Sequence, residues 1–248
     1  QLHISELPSL PTPLDNLSAT YADGHLYVAG GKGKSQTAPI GKDGSQTAPT
    51  NPLFSLQLTP SLQKEWVRLP DFPGPARVQP VLTAQQSEDG IRLYLAGGFQ
   101  PASAHQEAIV CTDMLSYHPK TKQWRNEGFL PSLAGGSHRT VTGGCAIASG
   151  DSSILLVGGV NYDRFRDALN HPEPDYLLHP ADWYKFNTSL LQYNTFTKHW
   201  THLGNYEELA RAGAGIANNA NTVIIIGGEL KPGIRTPEVN AFKLTCHP

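Results

Sequence analysis

The sequence predicts an all-β domain assembled from repeats of one small antiparallel sheet, and three observations point to it. An apolar run ending in Gly-Gly occurs four times, and its copies lie about 60 to 70 residues apart. The copies are LYVAGG ending at Gly31, LYLAGG ending at Gly98, ILLVGG ending at Gly159 and VIIIGG ending at Gly228. A tryptophan follows each of the first three copies, at Trp66, Trp124 and Trp200. The composition, with 24 glycines, 20 prolines and 16% charged residues, suits many short strands joined by turns.

An apolar strand, a Gly-Gly pair and a later aromatic residue are typical of kelch repeats, whose usual period is about 50 residues. Each kelch repeat forms a four-stranded blade of a β-propeller, and a blade needs neighbours because it cannot bury both faces alone. We therefore expect a single kelch-type β-propeller domain over residues 1–248, with four recognisable blades. These blades are expected over about residues 14–69, 76–129, 141–203 and 212–248.

The first expected blade contains a hairpin, because NLSATYADGHLYVAGG reads as strand, turn and strand with Asp23 and Gly24 at the turn. Residues 1–11 resemble the end of a blade, since the Leu-Pro pair at positions 7 and 8 aligns with the pair at positions 69 and 70. We expect this segment to complete another blade. The other strands of that blade would come from the C-terminal strand at residues 239–244 or from sequence upstream.

The second blade is expected to begin with an innermost strand within VQPVLTAQ, residues 78–85, directly after Arg77. The third blade begins after His138, and Asn161 follows its Gly-Gly pair. A long insertion, residues 162–186, comes next; its DRFRDALN segment predicts a short helix, and its second half is aromatic and acidic. Loops of this length are often lids or binding elements, and a surface decoration is the alternative.

The fourth blade carries the most distinctive stretch of the chain, TVIIIGGELKPGIRTPEVN. Its β-branched run predicts a buried strand that ends at a Gly-Gly kink, and Arg211 introduces the blade. Glu229, Lys231 and Arg235 follow on one connection stiffened by proline and glycine. A plain surface turn needs none of this charged chemistry. VNAFKLT then predicts a third strand.

The composition excludes several classes of function. A formal net charge of −2 offers no basic footprint for nucleic acid. No apolar stretch approaches the about 20 residues that a membrane span requires. Cys111, Cys145 and Cys246 are scattered without metal-binding spacing, which predicts free thiols and no metal site. Residues 1–10 lack the pattern of a signal peptide, so we expect either a cytoplasmic protein or a processed product.

The motif GGELKPGIRT, preceded by ARAGAG at residues 210–215, resembles the N-acetylneuraminate epimerase (sialic acid mutarotase) family. GGVN at residues 158–161 and the insertion behind it are also similar, and the cyclically permuted mutarotase branch matches best. The resemblance implies a six-bladed ring, of which this chain would cover about two thirds. It also implies a periplasmic location, with the cytoplasm as the alternative, and favours a lid role for the insertion.

Residues that directly follow a Gly-Gly pair or precede an innermost strand are expected near the channel of a propeller. This group offers three guanidinium groups, which suit an anionic ligand because guanidinium binds carboxylate in a planar fork. The candidates are Glu229, Arg235, Arg77, Arg211, Asn161 and His138. Each has a structural alternative: inter-blade salt bridges for Arg77 and Arg211, a turn cap for Asn161, a surface position for His138, and a mutual ion pair for Glu229 and Arg235.

The resemblance also implies the chemistry. Sialic acid mutarotases interconvert the α and β anomers of N-acetylneuraminate by opening and reclosing the sugar ring, without cofactor or metal. By motif, Glu229 would be the general acid/base and Arg235 would bind the carboxylate or polarise the anomeric centre. Arg77, Arg211, Asn161 and His138 would contact the substrate. The alternative is a non-catalytic kelch propeller that binds a glycan or a protein, since fold alone does not give function. A homodimer is a further expectation.

Overall fold

The computed structural model describes residue 4 and residues 6–34, 47–58, 65–133, 135–219 and 221–244. Within them, four antiparallel sheets follow one another along the chain as the blades of a β-propeller. The predicted all-β propeller with four blades is therefore confirmed, whereas the ring of six blades stays a prediction. Cys246 and most of residues 1–5 lie outside the described residues.

The strands are short and are numbered here in chain order. The first thirteen are β1 (Leu14–Asp15), β2 (Ser18–Ala22), β3 (His25–Ala29), β4 (Lys32–Lys34), β5 (Thr47–Pro49), β6 (Leu53–Gln57), β7 (Val67–Leu69), β8 (Val81–Ser87), β9 (Gly90–Ala96), β10 (Phe99–Gln100), β11 (Ile109–Val110), β12 (Asp113–His118) and β13 (Gln123–Phe129). The others are β14 (Cys145–Ser149), β15 (Ser153–Val157), β16 (Ser189–Asn194), β17 (Trp200–Asn205), β18 (Gly215–Asn219), β19 (Thr222–Ile226), β20 (Glu229–Lys231), β21 (Ile234–Arg235) and β22 (Val239–Lys243). The insertion holds helix α1 (Tyr162–Asn170) and the 3-10 helices Tyr176–Leu178 and Ala181–Tyr184, and a third 3-10 helix is Glu207–Leu209.

Each of the first three blades is a four-stranded meander. Their strand orders are β2-β3-β6-β7, β8-β9-β12-β13 and β14-β15-β16-β17. The fourth blade contains β18, β19 and β22, so its last strand lies where blades one to three have a third strand. The innermost strands pack in sequence, β2 against β8, β8 against β14 and β14 against β18. Three apolar clusters fill the spaces between consecutive blades, and they include Leu95, Leu156 and Ile225, respectively.

The Gly-Gly pairs mark the places where one blade passes close to the next. Every glycine in these pairs has a positive φ, which side chains other than glycine rarely adopt. An added Cβ on Gly30 would lie 2.7 Å from the carbonyl oxygen of Arg77, and one on Gly158 would lie 2.6 Å from that of Arg211. Both oxygens belong to the following blade. The repeated Gly-Gly signal therefore reports close approach between blades as well as the turn.

In blades one and two, a tryptophan at the outermost strand forms a hydrogen bond to the chain segment that precedes the blade. The indole of Trp124 donates a hydrogen bond of 2.8 Å to the carbonyl of Pro70. Trp66 donates an equivalent bond of 2.9 Å to the carbonyl of Pro8. Pro8 thus occupies the position relative to blade one that Pro70 occupies relative to blade two. That residues 1–11 complete a further blade stays a prediction, now with this hydrogen bond in its favour.

Other expected local features can be compared directly. Asp23 and Gly24 form the hairpin turn with φ values of 46° and 77°, as the Asp-Gly signal predicts. The predicted short helix is α1. Cys111 and Cys145 are buried free thiols, and burial raises the pKa of each to about 11. Among the described residues, no helix is both long and apolar enough to cross a bilayer.

Candidate functional site in the axial cavity

Four residues, one from each blade, are joined in a row by backbone hydrogen bonds just before the innermost strands. Asn16, Gln79, Gly143 and Gly213 each lie two residues before an innermost strand, and their φ values are 53°, 54°, 68° and 62°. The backbone N–H of Gln79 donates to the carbonyl of Asn16 at 2.8 Å, Gly143 to Gln79 at 3.1 Å, and Gly213 to Gly143 at 2.7 Å. We call these four residues the axial ring; three backbone hydrogen bonds join them in order from blade one to blade four.

The axial ring explains why the innermost strand of blade two begins later than the sequence predicts. We expected a strand from Val78, but β8 begins at Val81. Gln79 is in the left-handed region and Pro80 has no N–H to donate, so the ladder can begin only after them. The sequence gives no direct sign of a left-handed glutamine.

A cavity of about 630 Å³ opens at the axial ring, and we call it the axial cavity. All four blades contribute to its wall. The β20–β21 ribbon adds Glu229, Pro232 and Arg235, and the insertion adds Phe165, Tyr176 and Phe186. Its size falls in the range of about 300–1,000 Å³ that small-molecule sites have.

Glu229 and Arg235 face each other across the ribbon formed by β20 and β21. Arg235 Nε lies 3.4 Å from Glu229 Oε1, with the two side chains 80% and 30% exposed. The backbone of Glu229 is fixed to the start of blade four, because its N–H donates to Ala212 O at 2.7 Å and its carbonyl accepts from Ala212 N–H at 3.0 Å. A half-buried carboxylate and an accessible guanidinium therefore share one wall of the axial cavity.

Arg77 and Arg211 do not line the axial cavity, so the prediction that they contact a substrate there is wrong. Arg77 is fully buried; it donates to Gly97 O at 3.1 Å and to both oxygens of Asp113 at 2.9 and 2.7 Å. Arg211 makes the equivalent contacts in blade four, with Gly227 O at 3.1 Å and Glu238 at 3.2 Å. Each guanidinium joins the Gly-Gly turn of its own blade to a carboxylate at the start of that blade's third strand, β12 or β22. This geometry corresponds to a structural salt bridge within a blade.

Asn161 and His138 also lie away from the axial cavity. The Asn161 side chain caps α1 by accepting the N–H of Arg164 at 3.1 Å, as in the turn-cap alternative. It lines a separate open cavity of about 750 Å³. His138 is exposed and packs edge-on against Tyr162, with ring centroids 5.1 Å apart. The structure therefore brings together only Glu229 and Arg235 of the predicted set.

The insertion reaches the axial cavity through its aromatic side chains. Tyr184 and Phe186 are buried in a cluster that also includes Tyr176 and Trp183. Lys231, between the two charged residues of the ribbon, donates hydrogen bonds to the carbonyls of Leu177 and His179 at 3.1 and 2.6 Å. The sequence predicted that this segment would be a binding element or a lid, but it could not name the aromatic residues that line the cavity.

One group in the described part of the chain could hold a metal ion. Ligand atoms of Glu173, Asp175 and His179 lie within 4.8 Å of one another. All three are on the insertion, and none lines the axial cavity. The two carboxylates are exposed, as acidic surface groups commonly are.

The fold and the axial cavity define the class of protein: a β-propeller with a carboxylate and a guanidinium on the wall of one cavity. Comparison with known proteins gives the family. A family model described as N-acetylneuraminate epimerase matches residues 8–247, and the chain belongs to this family.

Individual relatives agree with the family match at low identity. The N-acetylneuraminate epimerase of Salmonella paratyphi B is 27% identical, with 94% of this chain and 57% of the relative covered. That of Haemophilus influenzae is 29% identical, with 92% and 60% covered. The chain thus spans less than two thirds of the length of these relatives. The solved structure of YjhT matches with a TM-score of 0.69 at 24% identity, covering 98% of this chain and 69% of that one, which supports the fold.

Proposed function

We propose that this protein is a carbohydrate epimerase that interconverts the α and β anomers of N-acetylneuraminate or a related acidic sugar. The observation that carries the proposal is the pair of Glu229 and Arg235 on the wall of the axial cavity. Membership of the N-acetylneuraminate epimerase family supports the same reaction class. The names of the relatives supply the substrate.

The proposed mechanism needs only proton transfer and charge stabilisation. A base removes the proton of the anomeric hydroxyl while an acid protonates the ring oxygen, and the ring opens to a keto acid. Rotation about the bond to the carbonyl carbon presents its other face, and the ring closes by the reverse proton transfers. Glu229 acts as the general acid/base. Arg235 binds the sugar carboxylate or stabilises charge at the anomeric oxygen.

A Glu229→Gln variant tests the role of the carboxylate. We expect the rate of mutarotation of α-N-acetylneuraminate, followed by one-dimensional NMR, to fall about 100- to 10,000-fold. Glu208→Gln is the matched control, since Glu208 is exposed and lies outside the axial cavity. A wild-type rate equal to that of buffer, with folded protein, would end the proposal.

The non-catalytic propeller is the competing function, and the same variant separates the two. In an enzyme, Glu229→Gln lowers turnover by the factor given above, while binding of N-acetylneuraminate, measured by titration calorimetry, persists. In a binding module, wild type and variant both bind the sugar, and neither accelerates mutarotation. Turnover that survives the substitution shows that Glu229 is not the acid/base.

The periplasmic location and the homodimer remain predictions that accompany this function. Fractionation of cells expressing the natural gene tests the location, with recovery in the cytoplasmic fraction as the contrary result. Light scattering coupled to size exclusion tests the homodimer, with a mass of about 27 kDa as the contrary result.

A further inference from the structure

The axial ring holds side chains at two positions where glycine would be the easier residue. Asn16, Gln79, Gly143 and Gly213 share one left-handed backbone conformation. Glycine adopts this conformation without strain, whereas residues with a Cβ incur a cost that is smaller for Asn than for Gln. Gln79 also precedes Pro80, which restricts its backbone further. Gln79 is therefore the most strained member of the ring.

The backbone role of Gln79 does not require its side chain. Its N–H donates to Asn16 and its carbonyl accepts from Gly143. Gly143 donates and accepts in the same way, toward Gln79 and Gly213, without a side chain. A glycine at position 79 would thus preserve the ring and relieve the strain. Side chains kept in strained conformations occur preferentially at functional sites.

Gln79 is an exposed residue on the wall of the axial cavity. Its neighbours Val78 and Pro80 are buried, but Gln79 itself is exposed and lines the cavity together with Glu229 and Arg235. Nε2 reaches Asn16 Oδ1 at a long 3.4 Å, and Oε1 lies 3.6 Å from the place where a Cβ on Gly143 would stand. The amide therefore lies beside Asn16 and Gly143 and has hydrogen-bonding capacity to spare.

From this strain and placement, we propose that Gln79 is a substrate-recognition residue whose amide hydrogen-bonds a neutral polar substituent of the sugar. The inference rests on the proposed function for the identity of the sugar. A primary amide both donates and accepts, and so it matches a hydroxyl or an N-acyl amide. The charged pair on the same cavity wall remains free for the carboxylate and the anomeric centre.

The test is a Gln79→Gly variant, for which function and stability should move in opposite directions. We expect KM for N-acetylneuraminate to rise about 3- to 10-fold through loss of a hydrogen bond. The Tm should stay constant or rise by about 1–3 °C, because strain at φ 54° is relieved. Gln79→Asn keeps an amide, and its KM should lie between those of the wild type and the glycine variant.

Lys122→Gly is the matched control. Lys122 has a φ of 57° in the turn between β12 and β13, outside the residues that line the axial cavity. Its Tm should also stay constant or rise, with KM unchanged. The inference would be overturned if Gln79→Gly lowered both Tm and activity. It would also be overturned if the variant left KM unchanged.

Two further arms identify the recognised group and separate this inference from the proposed function. The nonulosonic acid with a hydroxyl in place of the N-acetyl group at C5 is compared with N-acetylneuraminate. If Gln79→Gly loses more affinity for the N-acetyl sugar than for the hydroxyl analogue, the Gln79 amide recognises the N-acetyl group. If it loses the same affinity for both sugars, the amide recognises a hydroxyl that the two sugars share. Dissociation constants from titration calorimetry test Gln79 even if the wild type proves inactive. Equal affinity of wild type and Gln79→Gly for both sugars refutes the role.

Discussion

At the scale of single residues, the buried arginines differ in whether a carboxylate pairs with the guanidinium group. Arg77, Arg92 and Arg211 each pair with a carboxylate. Arg139 is also buried, but its Nε and Nη1 have no partner among the described residues, and burial lowers its pKa. An unpaired buried charge costs free energy, whereas removing one partner of a buried pair leaves the other uncompensated.

Arg77→Met and Arg139→Met should therefore differ in stability. We expect Arg77→Met to lower the free energy of unfolding by about 3 kcal/mol, a fall in Tm of about 6–12 °C, because Asp113 loses its partner. Arg139→Met, which keeps the apolar stem, should leave Tm unchanged or higher. Calorimetric melting of both variants checks this, and an equal fall for Arg139→Met would reveal an anionic partner for that guanidinium.

The same residues show what the sequence could and could not predict about the site. Glu229 and Arg235 could be predicted because both lie on one connection after a Gly-Gly pair, stiffened by Pro232 and Gly233, and match the family motif. Arg77 and Arg211 were assigned to the cavity because they precede innermost strands. The wall is instead formed two residues later, where the chain turns into the left-handed region. The left-handed backbone conformation of Gln79 depends on hydrogen bonds between blades, so no local sequence pattern predicts it.

At the scale of elements, the insertion depends on contacts with the rest of the chain. Lys231 extends from the β20–β21 ribbon and donates to the carbonyls of Leu177 and His179. These carbonyls lie at the end of the 3-10 helix Tyr176–Leu178, which would otherwise present them to solvent. The ribbon and the aromatic wall of the axial cavity are thus joined by one ammonium group.

A Lys231→Met variant should loosen the insertion without unfolding the propeller. We expect a change in the fluorescence of Trp183, faster proteolysis within residues 171–186, and a KM raised about 3- to 10-fold, with Tm lowered by less than about 4 °C. Lys120→Met is the control, since Lys120 is exposed on an outer turn. Unchanged proteolysis would show that other contacts suffice to hold the insertion.

The contact between blades two and three should depend on pH. Burial raises the pKa of Glu127, but hydrogen bonds from Ser116, Arg125 and Tyr193 outweigh burial and hold it below the ordinary value of 4.5. A carboxyl whose pKa is lowered by folding adds stability above its unfolded pKa, and this contribution disappears as the pH falls through the folded pKa. Wild type should therefore exceed Glu127→Gln in stability by about 1.5–3 kcal/mol at pH 7.

This difference should shrink as the pH falls below about 4.5, and urea unfolding from pH 7 to pH 3 measures it. Glu208→Gln, at an exposed position, should follow the wild-type curve throughout. A gap between wild type and Glu127→Gln that stays constant with pH would show that the carboxylate charge contributes nothing to the contact.

At the scale of the whole molecule, repetition made most of the fold predictable. Four Gly-Gly signals predict four blades in this chain, because each pair forms a left-handed turn and the first three also allow the close approach of the next blade. The number of blades in a ring cannot be predicted in this way, since it depends on the small angle between neighbouring sheets. The outer face of blade four, with Ile226 and Val239 exposed by 48% and 61%, has no blade against it in the described structure.

The stability cost of Gly→Ala substitutions can show whether another surface covers blade four in solution. Alanine at Gly30 or Gly158 would meet a carbonyl of the next blade at 2.7 or 2.6 Å, in addition to the strain of a positive φ. At Gly227 the nearest atom to an added Cβ is Thr236 O at 3.4 Å, so strain is the main cost there. We expect Gly158→Ala to lose at least about 3 kcal/mol and Gly227→Ala about 1–2 kcal/mol. Urea unfolding of the purified chain shows whether the face of blade four at Gly227 is open or covered in solution. Equal losses would mean that another surface packs against Gly227 as closely as Arg211 packs against Gly158, and the open face of blade four would then be an interface in solution.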